Sequence, residues 1–224
     1  MFTFSNPLVI NLKNYSEISG DNSLKITEEA KNAFLSNHKD IIIAPPASSI
    51  MALSKAKFPI ISQHVDDVPL GATTGFTIPE IIKSHGAIGS IINHSEHKIK
   101  HSQVCNLVKR LRELDMISIV CADDLEEVKT LSQFSPDYLA IEPPELIGKG
   151  IAVSKANPSI ITDSVQVVKR ISPTVKVLCG AGIVDKTDVQ KALELGAEGI
   201  LISSGVVKSS SWQDKILELS SVLK

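Results

Sequence analysis

The sequence predicts a (β/α)8 barrel, in which eight parallel strands close into a ring with an outer layer of helices. Three observations support this prediction. Short β-branched apolar runs alternate with segments of helical periodicity eight times in 224 residues, which gives 28 residues per unit. The runs are apolar on both faces, as parallel strands covered by helices must be. The length is also close to the roughly 250 residues typical of this fold.

Each predicted strand is an apolar run of five or six residues that ends in polar or turn-forming residues. The predicted strands span 8–12, 40–44, 59–64, 88–93, 116–121, 138–142, 175–179 and 199–203. The predicted helices span 21–36, 46–56, 78–85, 101–114, 123–133, 156–170, 185–195 and 211–223, and several begin at Asp, Ser or Thr caps. A doubly wound open sheet is the alternative, but NLKNY at 11–15 replaces the glycine-rich turn expected there. Because no linker or composition break divides the chain, we predict one domain, 1–224.

Composition excludes several classes of protein. The sequence has 43% hydrophobic and 21% charged residues and a net charge of −2, which is typical of a globular domain without a basic patch for nucleic acid. Three cysteines without C-x-x-C spacing argue against a disulfide framework or a structural zinc site. We find no targeting segment and no apolar run near the roughly 18 residues of a membrane helix. We therefore expect a cytoplasmic protein that does not bind membranes.

The strongest functional signal is a carboxylate at the end of the sixth predicted strand. Glu142 follows the apolar run 138–141 and precedes Pro143 and Pro144, which restrict the backbone, and Gly148 and Gly150 bound the loop beyond. This pattern predicts a catalytic base beneath a lid. Taken alone, however, the same glutamate could simply end a strand at the barrel rim.

Other polar residues also fall at C-terminal strand ends, where the active sites of such barrels lie. Asn11 and Lys13 end the first strand and His94 follows the fourth. GAG at 180–182 and SSG at 203–205 follow the last two strands, a pattern typical of a phosphate site built from backbone N–H groups. The plainer alternatives are a surface lysine, turn glycines with positive φ and helix-capping serines.

The motifs resemble the triosephosphate isomerase family over nearly the whole chain, in order and spacing. They are NLK at 11–13, GATTG at 71–75, NHSE at 93–96, IEPPELIG at 141–148, CGAG at 179–182 and SSG at 203–205. The lid motif and the short length are similar to the compact archaeal-type branch. The resemblance implies interconversion of dihydroxyacetone phosphate and glyceraldehyde 3-phosphate through an enediolate, in glycolysis and gluconeogenesis alike, without metal or organic cofactor.

The resemblance also implies roles for individual residues. Glu142 would be the base and His94 a neutral electrophile, as is known of this family. Lys13 would supply a fixed positive charge to the oxyanion and to the phosphate, and Asn11 would shape the same substrate-binding pocket. Glu96 is expected to orient Lys13 or the loop after the fourth strand. The residues expected to contact substrate phosphate are Ile147, Gly148, Gly182, Ser203 and Ser204. Lys149 departs from the threonine usual between the lid glycines.

The connection 65–77 is long for a barrel loop, which indicates a function. In the family this loop inserts beside the active site of a neighbouring subunit, and the resemblance assigns the contact to Thr74. A homodimer is implied, and the compact branch often pairs dimers into tetramers. Phe76 replaces the more usual polar or charged residue.

Three alternatives remain at this stage. A sugar-phosphate epimerase or isomerase with the same fold would share the glycines after the last two strands without needing the His94 and Glu142 pair. A non-catalytic barrel that binds phosphorylated metabolites would share the pocket. The spacing of His94, His97 and His101 could indicate a metal site, but it lacks a carboxylate at the usual position.

Overall fold

Seven parallel strands form a nearly closed barrel in the computed structural model, which describes residues 4–143 and 156–223. Their order around the barrel is β2-β1-β7-β6-β5-β4-β3. The strands are β1 Leu8–Asn11, β2 Ile41–Ala44, β3 Gly89–Ile92, β4 Ile117–Ala122, β5 Tyr138–Ile141, β6 Lys176–Cys179 and β7 Ile200–Ile202. Each overlaps a predicted strand, so the barrel prediction is confirmed.

Residues 60–62 fill the gap between β2 and β3. They belong to the third predicted strand, 59–64, which would bring the number of strands to eight. This segment forms two isolated parallel bridges, Ile43 with Ile60 and Ser62 with Ser90. The Ile61 N–H donates to the Ile43 carbonyl at 2.9 Å, and the Ile91 N–H donates to the Ser62 carbonyl at 2.9 Å. The prediction of a full strand here was too long, but the segment pairs with both of its neighbours.

Helices surround the barrel and follow the predicted pattern with two differences. The predicted helix 46–56 is one short α-helix flanked by 3-10 turns, and a short helix that was not predicted follows β7. Two N-caps are observed, since Asp124 accepts from the Glu127 N–H and Asp185 from the Asp188 N–H. The helices are α1 Asn22–Asn37, α2 Ile50–Leu53, α3 Pro79–Ser84, α4 His101–Glu113, α5 Leu125–Ser132, α6 Pro158–Ile171, α7 Lys186–Glu194, α8 Ser204–Val207 and α9 Trp212–Ser220.

The strands bury side chains on both faces, which explains why their sequences are apolar throughout. Alternate residues such as Leu8 and Ile10 pack against the helices, whereas Val9 packs inside the barrel. The same alternation points Asn11 inward after Val9, and Glu142 inward after Ala140. Asn11 and Glu142 therefore enter the barrel at the C-terminal ends of their strands. None of the helices in the described ranges is long and apolar enough to cross a membrane.

Candidate active site

A cavity of about 230 Å³ lies at the C-terminal ends of the strands and collects most of the predicted site residues. Seven of them line it: Asn11, Lys13, His94, Glu142, Gly182, Ser203 and Ser204. The other lining residues are Tyr15, Gly180, Ile183, Val184, Leu201, Ile202, Gly205 and Lys208. Ile147 and Gly148, together with Lys149, lie outside the described residues. Segments that are distant in the sequence thus converge at one end of the barrel.

Lys13 is held in an uncommon backbone conformation directly after β1. Its φ of 47° lies in the left-handed region, which a lysine adopts only when its surroundings hold it there. The Asn11 Oδ1 accepts from the Lys13 N–H at 3.0 Å, and the Gln63 Nε2 donates to the Lys13 carbonyl at 3.0 Å. Gln63 also donates to the carbonyl of Ala44, at the end of β2, at 3.0 Å. These bonds fix where the lysine side chain begins.

The ammonium group of Lys13 forms an ion pair with Glu96. Its Nζ lies 2.7 Å from Glu96 Oε1, across 83 positions of sequence. The Lys13 side chain is 13% exposed whereas that of Glu96 is 57% exposed, so the pair lies at the cavity edge. Glu96 is thus in contact with Lys13, one of the two elements that it was expected to orient.

A hydrogen bond to His94 shows which of its two ring nitrogens carries the proton. The backbone N–H of Glu96 donates to His94 Nδ1 at 3.1 Å. Because a backbone N–H can only donate, Nδ1 carries no proton, and the ring proton lies on Nε2. His94 Nε2 is 3.6 Å from Glu142 Oε2, which is close but too far for a hydrogen bond. The buried imidazole thus offers one N–H group beside the carboxylate.

The loop that carries His94 is anchored through the preceding residue. The Asn93 amide donates to the Cys121 carbonyl and to Glu127 Oε1, both at 3.0 Å, and its Oδ1 accepts from the Ile99 N–H at 3.2 Å. Asn93 also has a left-handed φ of 61°. This network ties the loop to β4 and α5, so the imidazole is supported from behind.

Glu142 is a buried carboxylate that lacks a conventional partner. It is 3% exposed, and its Oε2 accepts no hydrogen bond from the described residues. Burial raises the pKa of this carboxyl above its ordinary value, and the nearby His94, the Cys121 thiol and Lys13 offset part of that rise. A carboxylate with a raised pKa and an open oxygen in a cavity is typical of a general base.

Gly180 makes room for Glu142, a role that the sequence did not predict. A Cβ atom at position 180 would lie 2.3 Å from Glu142 Cγ. The φ of Gly180 is not in the positive range, whereas that of Gly182 is 72°. The positive φ expected of a turn glycine is therefore found at Gly182, whereas Gly180 is required by the close approach of the Glu142 side chain.

The residues that follow β6 and β7 make the cavity suited to an anion. The Oγ of Ser203 is buried without a hydrogen-bond partner among the described residues, and Ser204 begins α8. The first N–H groups of a helix have no partner within the helix. Gly182 lines the same cavity. Hydroxyl and amide donors thus face a space that also contains Lys13.

Two further lining residues were not anticipated. Lys208 follows α8, and its Nζ lies 4.9 Å from the centre of the Tyr15 ring. Lys208 belongs to no motif noted in the sequence, Tyr15 was noted only as the end of NLKNY at 11–15, and their convergence in space reveals them. Tyr15 stands two positions beyond Lys13, and this short spacing is the one sequence signal that could have pointed to it.

An adjoining cavity of about 360 Å³ shares Lys13 and His94 with the first. It is also lined by Asn14, Gln63, His64, Glu96 and His97. The rings of His64 and His97 stack at 3.8 Å, and burial, followed by the nearby His97, lowers the pKa of His64. In residues 4–143 and 156–223, no group of three potential ligands is placed to hold a metal ion. His101 instead contacts Glu127 at 3.3 Å.

Thr74 lies away from the cavity of its own chain, on the exposed tip of the loop after the 60–62 segment. Asp66 closes the base of this loop, because its Oδ2 accepts from the Thr77 N–H at 2.7 Å. The tip exposes two large apolar side chains, Leu70 at 57% and Phe76 at 50%. A loop with a fixed base and an apolar tip is suited to contact another protein surface.

Comparison with known proteins gives a consistent result. A family model described as Triosephosphate isomerase matches residues 7–219. The triosephosphate isomerase of Cenarchaeum symbiosum is 45% identical over 216 residues, covering 96% of this chain and 97% of the relative. That of Methanothermus fervidus is 43% identical over 212 residues, covering 94% and 95%. That of Methanocaldococcus jannaschii is 41% identical over 213 residues, covering 95% and 97%.

Proposed function

The chain belongs to the triosephosphate isomerase family, and from this premise we propose that it interconverts dihydroxyacetone phosphate and D-glyceraldehyde 3-phosphate, a reaction of glycolysis that also runs in gluconeogenesis. The observation that carries the proposal is the pairing of His94 Nε2 with the open Glu142 Oε2 at 3.6 Å, in a cavity that also holds Lys13. This arrangement suits proton transfer between neighbouring carbons beside a carbonyl group.

Glu142 is the base in the proposed mechanism. It removes a proton from the hydroxyl-bearing carbon next to the carbonyl and returns it to the former carbonyl carbon, while the hydroxyl proton passes to the former carbonyl oxygen. A carboxylate whose pKa is raised by burial binds a proton more strongly than an ordinary one, and it therefore suits the abstraction of a weakly acidic C–H proton. Glu142 lines the cavity in which the substrate carbons would lie.

His94 and Lys13 stabilise the negative charge that develops when the proton leaves. The Nε2–H group of His94 donates to the substrate oxygens as the enediolate forms, and Lys13 supplies a fixed positive charge nearby. Because the Glu96 N–H donates to Nδ1, that nitrogen carries no proton, and the neutral ring donates through Nε2. Asn11 contributes indirectly by fixing the backbone of Lys13.

The phosphate group is proposed to bind at the opposite end of the cavity. Ser203 and Ser204 would contact it after β7, and Gly182 after β6. Ile147 and Gly148 are proposed to close over it from the lid, on the basis of the family resemblance alone. The direct support is the buried, unpartnered hydroxyl of Ser203.

A coupled assay tests this function. Purified protein is supplied with glyceraldehyde 3-phosphate and a dehydrogenase that reduces dihydroxyacetone phosphate, and NADH oxidation is followed. We expect turnover far above the uncatalysed rate and no inhibition by a chelator. Absence of an enzyme-dependent signal would favour a phosphate-binding protein without catalysis, whereas chelator inhibition would favour a metal-dependent epimerase.

Gly180→Ala is expected to lower kcat by about 10²-fold, the size of effect that follows from misplacing a catalytic group by roughly 1 Å. The new methyl group would occupy the space of Glu142 Cγ, so that the carboxylate must move. The measurement is steady-state kinetics together with a crystal structure of the variant. Gly20→Ala is the control for backbone strain: a Cβ atom there meets nothing within 4 Å, but the φ of 60° disfavours alanine, so this variant should lose some stability and keep the wild-type kcat. Wild-type kcat in Gly180→Ala would contradict the steric requirement.

We further propose a homodimer, which could pair into a tetramer, assembled through the loop that carries Thr74. The exposed Leu70 and Phe76 on this loop would be buried against a second copy, beside the adjoining cavity near Lys13. Light scattering at micromolar concentration should give at least twice the mass of one chain. Phe76→Lys should weaken the assembly and lower activity at high dilution. A fully active monomer would contradict this proposal.

We also propose that the protein is cytoplasmic. Cys105, Cys121 and Cys179 are free thiols in the structure, which is consistent with a reducing compartment.

A further inference from the structure

Two of the described lysines line the cavity, and they differ in whether a carboxylate lies beside the ammonium group. Lys13 is paired with the carboxylate of Glu96 at 2.7 Å, which offsets its charge. Lys208 has no carboxylate oxygen within 4.0 Å among the residues that the structure describes, and instead lies over the ring of Tyr15. Its positive charge thus remains available at the rim of the cavity.

Several contacts fix the position of Lys208. It directly follows α8, the short helix that begins at Ser204. The indole Nε1–H of Trp212 donates to the carbonyl of Val207 at 3.0 Å, which anchors the backbone immediately before it. The Tyr15 ring, 4.9 Å away, packs against the barrel core and forms a platform for the ammonium group.

The charges around the cavity indicate what this lysine would recognise. Glu142 and Glu96 place two carboxylates beside a site for which we have proposed a dianionic substrate. Glu17 lies further out, where its own backbone and Ser16 lower its pKa most and Lys208 contributes less. Among the described residues that line the cavity, Lys208 is the cation without a carboxylate partner, since Lys13 is paired with Glu96.

We propose that Lys208, held over the ring of Tyr15, is a phosphate-recognising residue that selects dianionic substrates. This inference rests on the proposed isomerase function. Lys208 attracts the phosphate group at the cavity mouth and holds it beside Ser203 and Ser204, while the proton transfer takes place at the other end. Its loss should therefore affect substrate capture more than the chemical step.

Steady-state kinetics of Lys208→Met test the proposal. We expect KM for glyceraldehyde 3-phosphate to rise by about three- to tenfold and kcat to stay within about twofold, the effect of removing one partly screened charge. The fall of kcat/KM with added salt should become shallower. Lys208→Arg should restore KM, because guanidinium also stacks on an aromatic ring. Tyr15→Leu should raise KM less than Lys208→Met does, and Tyr15→Phe should retain the wild-type KM.

Lys191→Met on α7 is the matched control, since it removes one positive charge from an exposed pair with Glu194. It should leave KM unchanged. An unchanged KM and salt dependence in Lys208→Met would overturn the proposal. A fall in kcat together with a lower unfolding temperature, not restored by Lys208→Arg, would indicate a structural role and would also overturn it.

Inorganic phosphate separates this proposal from the isomerase function. Calorimetric binding of phosphate should be about three- to tenfold weaker in Lys208→Met than in wild type, whether or not the protein turns over triose phosphates. A Lys208-dependent affinity without turnover would uphold the anion site and contradict the isomerase. Equal phosphate affinities would contradict the anion site even in an active enzyme. Glyceraldehyde, which lacks the phosphate, should react equally slowly with both proteins.

Discussion

Replacing Glu142 by glutamine is expected to lower kcat by about 10²–10⁴-fold, the usual contribution of a positioned general base. Glutamine has nearly the same shape but cannot accept the substrate proton. Binding of a substrate analogue should stay within about one order of magnitude, because phosphate contacts lie elsewhere in the cavity. Near-normal turnover would exclude Glu142 as the base. The control is Glu194→Gln, an exposed carboxylate on α7.

The stability difference between the same variant and wild type should depend on pH in a defined direction. The folded protein raises the pKa of Glu142 above its ordinary value of 4.5, chiefly by burial. A raised carboxyl pKa means that the folded state favours the protonated form, so stability falls as pH rises from 4.5 through the folded pKa. Glu142→Gln should therefore be more stable than wild type near neutral pH. Urea unfolding should show this gain disappearing below 4.5, where both states carry the proton.

Replacing His94 by glutamine is expected to lower kcat by about 10²–10³-fold, the range for losing one oxyanion donor. Glutamine can also donate, but its amide cannot reproduce the placement of Nε2, which is set by the hydrogen bond from the Glu96 N–H to Nδ1. His85→Gln is the control, because it changes a histidine that precedes β3 at the opposite end of the barrel. The measurement is kcat from initial rates.

The outcome for His94 distinguishes donation from simple packing. If the ring only filled space, an apolar variant such as His94→Leu would retain more activity than glutamine. If the Nε2–H group stabilises the enediolate, both variants should lose activity and the apolar one should lose more. A kcat within about threefold of wild type in both variants would contradict the electrophile role, since an oxyanion donor contributes far more than that.

Much of the fold could be predicted from sequence because its elements repeat a simple pattern. Runs that are apolar on both faces located all seven named strands. The predicted helix 46–56 was wrong in detail, since helical turns of different pitch alternate there. The segment 60–62 makes too few ladder bonds to form a named strand, although its sequence resembles the others. The strand propensity of residues 60–62 could not predict this, because the number of ladder bonds depends on how the segment fits between its two neighbouring strands.

The sequence predicted individual residues of the candidate site, but it did not predict the contacts between them. Glu142, His94 and Lys13 stand at strand ends, and strand alternation indicates that such residues can face inward. The need for glycine at position 180 depends on a side chain 38 positions away, and therefore became apparent only in three dimensions. The pairing of Tyr15 with Lys208 is of the same kind.

The segment 60–62, which completes the ring through two bridges, is followed at once by Gln63, which anchors the backbone of Lys13. A single bridge to each neighbouring strand and a hydrogen bond to the Lys13 backbone thus reside in one short stretch of chain. Local fluctuation of this stretch would displace the lysine while the remaining strands stay paired. Heat inactivation of such an enzyme would then begin below its melting temperature, and amide exchange in this stretch would report it first.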